Sequence, residues 1–184
     1  MTYLVAALSQ QPAIELSGGE VISSSKIISA VPLPTAITAG NPVRLLIPEI
    51  SVAATIMNMG LTKTGAMAVP PNVVNVGWYK YGPNPGNTGS AVIAGHLDGL
   101  SGQPGVFANL NKLRVGDKLS IVDDKGQTIS FVVKELRTYD QTVQPYEVFT
   151  SSSGIHLNLI TCTGPWDKSQ HVYTQRLVVF TDSV

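Results

Sequence analysis

The pattern of apolar and polar positions divides the chain near residue 40. Residues 1–40 mix Ser, Ala, Ile and Pro without a sustained 3.6-residue period, and only Glu15, Glu20 and Lys26 are charged. Pro32 and Pro34 interrupt any regular element there, so this stretch reads as an arm or linker, apolar enough to dock in part. From Asn41 onward, short β-branched runs recur. They cover residues 43–50 and 51–57 (broken at Pro48), then 73–79, 90–96, 117–122, 128–136, 155–161 and 172–180. Asp123-Asp124-Lys125-Gly126-Gln127 joins two of these runs as a hairpin turn, and residues 81–89, with Pro83, Pro85 and glycines, form a turn-rich connection. Phe107, Leu110 and Leu113 lie three apart, which predicts one or two helical turns over residues 105–113, packed on a core. Many short strands with one short helix predict an all-β sandwich or closed barrel. No internal repeat is present.

Composition narrows the choice. A chain of 184 residues favours one domain with an attached arm, and 43% hydrophobic against 13% charged residues excludes wholesale disorder. Twelve Lys+Arg balance twelve Asp+Glu, so no field of one sign exists to hold nucleic acid or an anionic membrane surface. A single cysteine excludes an internal disulfide and cysteine-rich zinc sites, while leaving the compartment open. No apolar run reaches the roughly 18 residues that span a bilayer. Residues 1–8 are apolar without a preceding cationic region, a poor signal peptide. The protein is therefore cytosolic, or its anchor lies outside this chain.

Three residues beside strand ends carry candidate chemistry: His96 in Gly95-His96-Leu97-Asp98-Gly99, Cys162 in Leu159-Ile160-Thr161-Cys162-Thr163-Gly164, and Arg176 in the last strand. A thiol is a good nucleophile as thiolate, a form that an imidazole and a guanidinium beside it both favour. The imidazole can return a proton to a leaving amine, and a fixed guanidinium can donate to a developing oxyanion. Cys, His and Arg thus form a minimal set for acyl transfer through a thioester. Each also has a bland role: a small buried hydrophobe, a capping residue, a snorkelling cation.

The wording and order of the motifs decide between these. Ala91-Val92-Ile93-Ala94-Gly95-His96, the segment from Val106 to Asp117, Leu159-Ile160-Thr161-Cys162 and Arg176-Leu177-Val178-Val179-Phe180 resemble the sortase family, over about residues 42–181. The resemblance implies a closed eight-stranded β-barrel with one or two short helices, spanning residues 41–184 after the arm at 1–40. It implies a cysteine transpeptidase that cleaves an LPXTG-like sorting signal after Thr, forms a thioacyl-enzyme and transfers the protein to an amine such as that of a peptidoglycan precursor. His96, Cys162 and Arg176 match the family's catalytic residues, and Thr161 the family Thr that helps position substrate. Where the family reads T-L-X-T-C, this chain has Asn158-Leu159-Ile160-Thr161-Cys162, so Asn replaces the first Thr. The Gly95-His96-Leu97-Asp98 wording and the short loop 163–170 look most like class F, with classes D and E close by.

Further expectations follow. Trp166 is a candidate wall of the substrate groove, and residues 139–153 match the loop that forms another wall in sortases. Asp98 is expected to cap its own glycine turn, and His156 and His171 to be structural or surface residues. No metal or cofactor is expected. The resemblance places the enzyme on the extracytoplasmic face of a bacterial membrane, held by an anchor absent from this chain. Residues 27–37 of the arm are the part to suspect of covering the groove. Two other functions compete: a thiol peptidase with water as acceptor, and a noncatalytic surface β-barrel binding module with a buried cysteine.

Overall fold

The computed structural model describes residues 39–184. Eight strands form one closed barrel: β1 (Pro42–Ile47), β2 (Val52–Met59), β3 (Val76–Tyr79), β4 (Gly89–Gly95), β5 (Lys118–Asp123), β6 (Thr128–Asp140), β7 (Ile155–Asp167) and β8 (Val172–Ser183). Their order around the barrel is β1-β2-β3-β4-β7-β8-β6-β5, closed by antiparallel pairing of β5 with β1. The pairs β2/β3 and β4/β7 are parallel, and the others are antiparallel.

Alternation along the strands fills the interior. Leu45, Ile47, Ala91, Ile93, Leu119, Ile121, Leu157, Leu159, Leu177 and Val179 belong to one buried cluster, with Phe107, Leu110 and Leu113 packed into it from the connection after β4. The helix expected at 105–113 is reduced to a 3-10 turn at Leu110–Lys112. Its three apolar residues are buried as the spacing requires, because turns alone bring them onto the barrel. Two further 3-10 turns, Pro48–Ile50 and Tyr146–Val148, complete the helical content of the described residues. The expected hairpin turn is present between β5 and β6. Its Asp123 carboxylate accepts from the backbone N–H groups of Lys125 (3.0 Å), Gln127 (2.8 Å) and Gly40 (2.7 Å). The chain is thus tied to the barrel already at Gly40, just before the expected boundary at Asn41, while residues 27–37 of the arm lie outside the described residues.

The strand ends depart most from expectation at β7. The reading from sequence stops this strand at Thr161, whereas the strand continues to Asp167. Gly164-Pro165 signals a turn, yet here the pairing of β7 with β8 shifts register between Thr163 and Trp166 and then resumes. Gly164 takes φ +78, a left-handed conformation glycine adopts without strain. Cys162 therefore lies within a strand, paired with β8 at its own position and again beyond the bulge.

A second, smaller apolar cluster comprises Val92, Val148 and Val178, with Tyr79, Tyr139, Ile160 and Phe180 against it. Alternation puts Val92, Ile160 and Val178 on the opposite face of β4, β7 and β8 from the interior set. Central strands buried on both faces are usual where pairing is parallel, as between β4 and β7. The cover over this outer face comes from the β6–β7 connection, through Val148.

Candidate active site

The outer face of β4, β7 and β8 ends in polar side chains. Cys162 and Arg176 are direct partners in the β7/β8 register, so their side chains leave the sheet on the same side. His96 follows the last residue of β4, the strand on the other side of β7. Ala94 pairs with Ile160 in the parallel β4/β7 register, and two residues further along these strands come His96 and Cys162. The buried Thr161 hydroxyl donates to the Gly95 carbonyl at 2.9 Å, linking the residue before the thiol to the residue before the imidazole. Three adjacent strands therefore bring His96, Cys162 and Arg176 to one end of one face.

Local packing fixes each of them. A Cβ on Gly95 would lie 2.5 Å from Phe107 Cδ2, so the absence of a side chain lets Phe107 pack beneath the start of the His96 loop. The His96 carbonyl accepts from Phe107 N–H at 2.9 Å. The ring is fixed as well: His96 Nε2 lies 2.8 Å from the Pro70 carbonyl. A carbonyl only accepts, so Nε2 carries a proton, and Nδ1 is the basic nitrogen of the neutral ring. Arg176 Nη1 donates to the backbone carbonyls of Tyr173 (3.0 Å) and Gln175 (2.9 Å). Its Nη2 and Nε have no protein acceptor among the described residues.

At the thiol, burial opposes the form that its neighbours favour. Burial pushes the Cys162 thiol above its ordinary range; the Arg176 charge pulls it down, the Asp98 charge adds to the rise, and the net is upward. The side chain is partly covered, and desolvation outweighs one cation. Burial thus favours the protonated thiol over the thiolate.

The other candidates fall in different places. Thr161 is buried on the interior face with its hydroxyl committed to Gly95, so it bears on the site by aligning strands β4 and β7. Trp166 is 47% exposed near the end of β7, where it stacks edge-on against Tyr173 at 5.0 Å. Asp98 does not cap its glycine turn as expected; it accepts a hydrogen bond from the Tyr173 hydroxyl on β8. His156 is structural, bonded to Asp182 (2.8 Å) and to the Ser153 carbonyl (2.8 Å), and His171 is exposed. No group of three or more His, Cys, Asp or Glu able to hold a metal occurs among the described residues.

Reasoning from sequence missed one neighbour, Tyr139, and singled out a second, Asn158, without its partner. Tyr139 pairs with Arg176 in the β6/β8 register and donates its hydroxyl to Glu147 at 2.7 Å, in the 3-10 turn of the β6–β7 connection. Asn158, 2% exposed, donates to the Val148 carbonyl of the same turn at 2.7 Å. Alternation along β7 puts it on the face of Ile160 and Cys162.

The Sortase domain family model matches residues 45–184. This chain belongs to the sortase family. Sortases are cysteine transpeptidases, generally associated with the bacterial cell surface, and their closed all-β barrel is the fold found here. Among solved structures, sortase C-1 from Actinomyces oris is 26% identical, with a TM-score of 0.59, covering 78% of this chain and 75% of that one. Sortase C1 from Streptococcus agalactiae is 22% identical, with a TM-score of 0.61, covering 79% and 68%. Sortase A from Corynebacterium diphtheriae is 21% identical, with a TM-score of 0.58, covering 79% and 61%. No curated protein sequence matches the chain. Membership makes a transpeptidase the function of the fold, in place of a noncatalytic binding module.

Proposed function

We propose that Cys162 is the nucleophile of this sortase, His96 its proton carrier and Arg176 its oxyanion donor. The substrate is an LPXTG-like sorting signal cleaved after Thr, and the acceptor is an amine such as that of a peptidoglycan precursor. The observation that carries this reading is the in-register pair Cys162–Arg176, tied to the His96 strand by the Thr161–Gly95 hydrogen bond. With burial favouring the protonated thiol, His96 Nδ1 removes its proton as sulfur attacks the Thr carbonyl carbon. The free Nη2 and Nε donors of Arg176 are available to the oxygen that becomes negative. His96 then returns the proton to the leaving amine, and an acceptor amine displaces the thioester. Thr161 serves the substrate indirectly, by holding β4 and β7 in register.

The wording around His96 and the short turn between Asp167 and Val172 support class F, with classes D and E close by. The enzyme works on the extracytoplasmic face of the membrane, where sorting signals and wall precursors meet. A fluorogenic LPXTG-type peptide, incubated with and without an amine acceptor, tests the reading. Cleavage and an amide product are expected from the native chain, with both lost by at least a thousandfold in Cys162→Ala. Undiminished turnover in that variant would overturn it, and cleavage without amide in the native chain would make the protein a thiol peptidase.

A further inference from the structure

The catalytic set proposed above leaves one polar cluster unused. The Tyr173 hydroxyl donates to Asp98 Oδ2, joining the loop after His96 to the β7–β8 hairpin. The Tyr173 backbone carbonyl accepts from Arg176 Nη1 at 3.0 Å, so the same residue touches the guanidinium on one side and the carboxylate on the other. Trp166 packs edge-on to Tyr173 at 5.0 Å and is 47% exposed, which puts an open aromatic surface beside the carboxylate. Asp98 itself is half-buried, and among the described residues nothing donates to its Oδ1.

A carboxylate here opposes the first half of the reaction, because its charge disfavours the thiolate of Cys162. It favours the second half, in which the incoming nucleophile arrives as a cation. Carboxylate and exposed aromatic edges together suit an ammonium on an aliphatic stem: the charge takes the headgroup and the rings take the methylenes.

We propose that Asp98, held by Tyr173, is the docking carboxylate for the acceptor, a primary alkylammonium whose stem lies along Trp166 and Tyr173. This rests on the reading of Cys162 as nucleophile. The docked ammonium gives one proton to His96 and becomes a free amine. Its lone pair forms the C–N bond at the thioester carbon, the C–S bond breaks with its electron pair going to Sγ, and the second nitrogen proton passes to that sulfur. The products are the amide and the Cys162 thiol, with the first proton left on His96 for release to solvent.

The test reads the thiol directly and needs no sorting signal. Cys162 of the full chain is labelled with aminoethyl methanethiosulfonate, which carries an ammonium, and with its neutral ethyl analogue. In each case sulfur forms a disulfide and methanesulfinate leaves. Any change in thiolate fraction affects both reagents alike, so the ratio of rates isolates recognition of the cation. In Asp98→Asn at low salt the ammonium-to-neutral ratio should fall about fivefold, the size of one charge contact near water. Asp98→Ser, a second neutral replacement, should give the same fall, and added salt should shrink the native ratio. An unchanged or rising ratio in both variants overturns the proposal. A flat ratio leaves the Cys162 nucleophile standing, and a failed peptide assay leaves the ratio standing, so the two failures are distinguishable.

Discussion

The two faces of β4, β7 and β8 are built from alternate residues of the same strands, yet they differ in kind. The interior face presents Ala91, Ile93, Leu157, Leu159, Leu177 and Val179, each at 6% exposure or less. The outer face begins in the same way, with Val92, Asn158 and Val178 buried, and then opens through Ile160 to Cys162 and Arg176. One face is closed by the barrel itself, and the other by the β6–β7 connection, through Val148. The contrast teaches where chemistry can sit in a small barrel. The interior is too well packed to admit a substrate, whereas the outer face has a rigid floor and a cover made by a connection, leaving the strand ends accessible.

Single substitutions should separate the faces sharply. Arg176→Gln on the outer face is expected to lower kcat/KM for peptide joining by about a hundredfold or more, the usual loss for an oxyanion donor, with little change in the unfolding midpoint. Leu159→Ala, one strand away and facing inward at 0% exposure, should instead cost about 2–5 kcal/mol of stability by leaving a cavity. Urea unfolding and peptide kinetics on both variants make the comparison. If Arg176→Gln mainly destabilised the fold and the activity of its folded fraction were intact, the outer face would be structural like the inner one.

Between these extremes stands Asn158, polar but buried on the outer face. Its side chain holds the Val148 carbonyl, so Asn158→Ala leaves that acceptor unpaired at a cost of about 1–3 kcal/mol. The effect should reach beyond stability, since the same bond seats the cover over Ile160 and Val178. A rise in KM for the sorting-signal peptide that exceeds any fall in kcat is the expected signature. A variant with unchanged KM would mean that the cover is seated by its apolar contacts and by Tyr139–Glu147 alone. Asn158→Thr, which restores the family's usual residue, asks the same question with a shorter side chain.

How far these features were legible in the sequence follows the same division. The strands of the closed barrel announce themselves through alternation, and the β5–β6 turn through Asp123 to Gln127, because the signals are local and one buried face dictates the period. The residues proposed as reactive, His96, Cys162 and Arg176, were picked out by the wording around them, that is, through resemblance, and the structure adds the register that makes Cys162 and Arg176 partners. Two features were hidden. The strand runs through Gly164-Pro165 because a bulge absorbs the turn signal, which only pairing with β8 reveals. The Asp98–Tyr173 bond joins residues 75 positions apart, and no local pattern distinguishes that aspartate from the cap of a glycine turn. The sequence also offered two neighbours that favour the thiolate, while burial, a property of the whole fold, reverses the net direction.

That reversal yields the finest test of the outer face. Burial raises the thiol, Asp98 raises it further and Arg176 lowers it. A group whose pKa lies above its ordinary value is more protonated at neutral pH, so alkylation by a neutral reagent such as iodoacetamide is slow there and rises into the alkaline range. Removing the Asp98 charge in Asp98→Asn takes away one raising influence. The labelling profile should move to lower pH, with a rate at neutral pH higher by roughly two- to fivefold. Removing the lowering influence in Arg176→Gln should move it to higher pH, with a slower rate by a similar factor. Opposite displacements follow only if both charges act on the sulfur through space. Displacement in the same direction for both variants would mean that substitution had altered the burial of Cys162 instead, and the electrostatic contrast between the two faces would then reduce to packing.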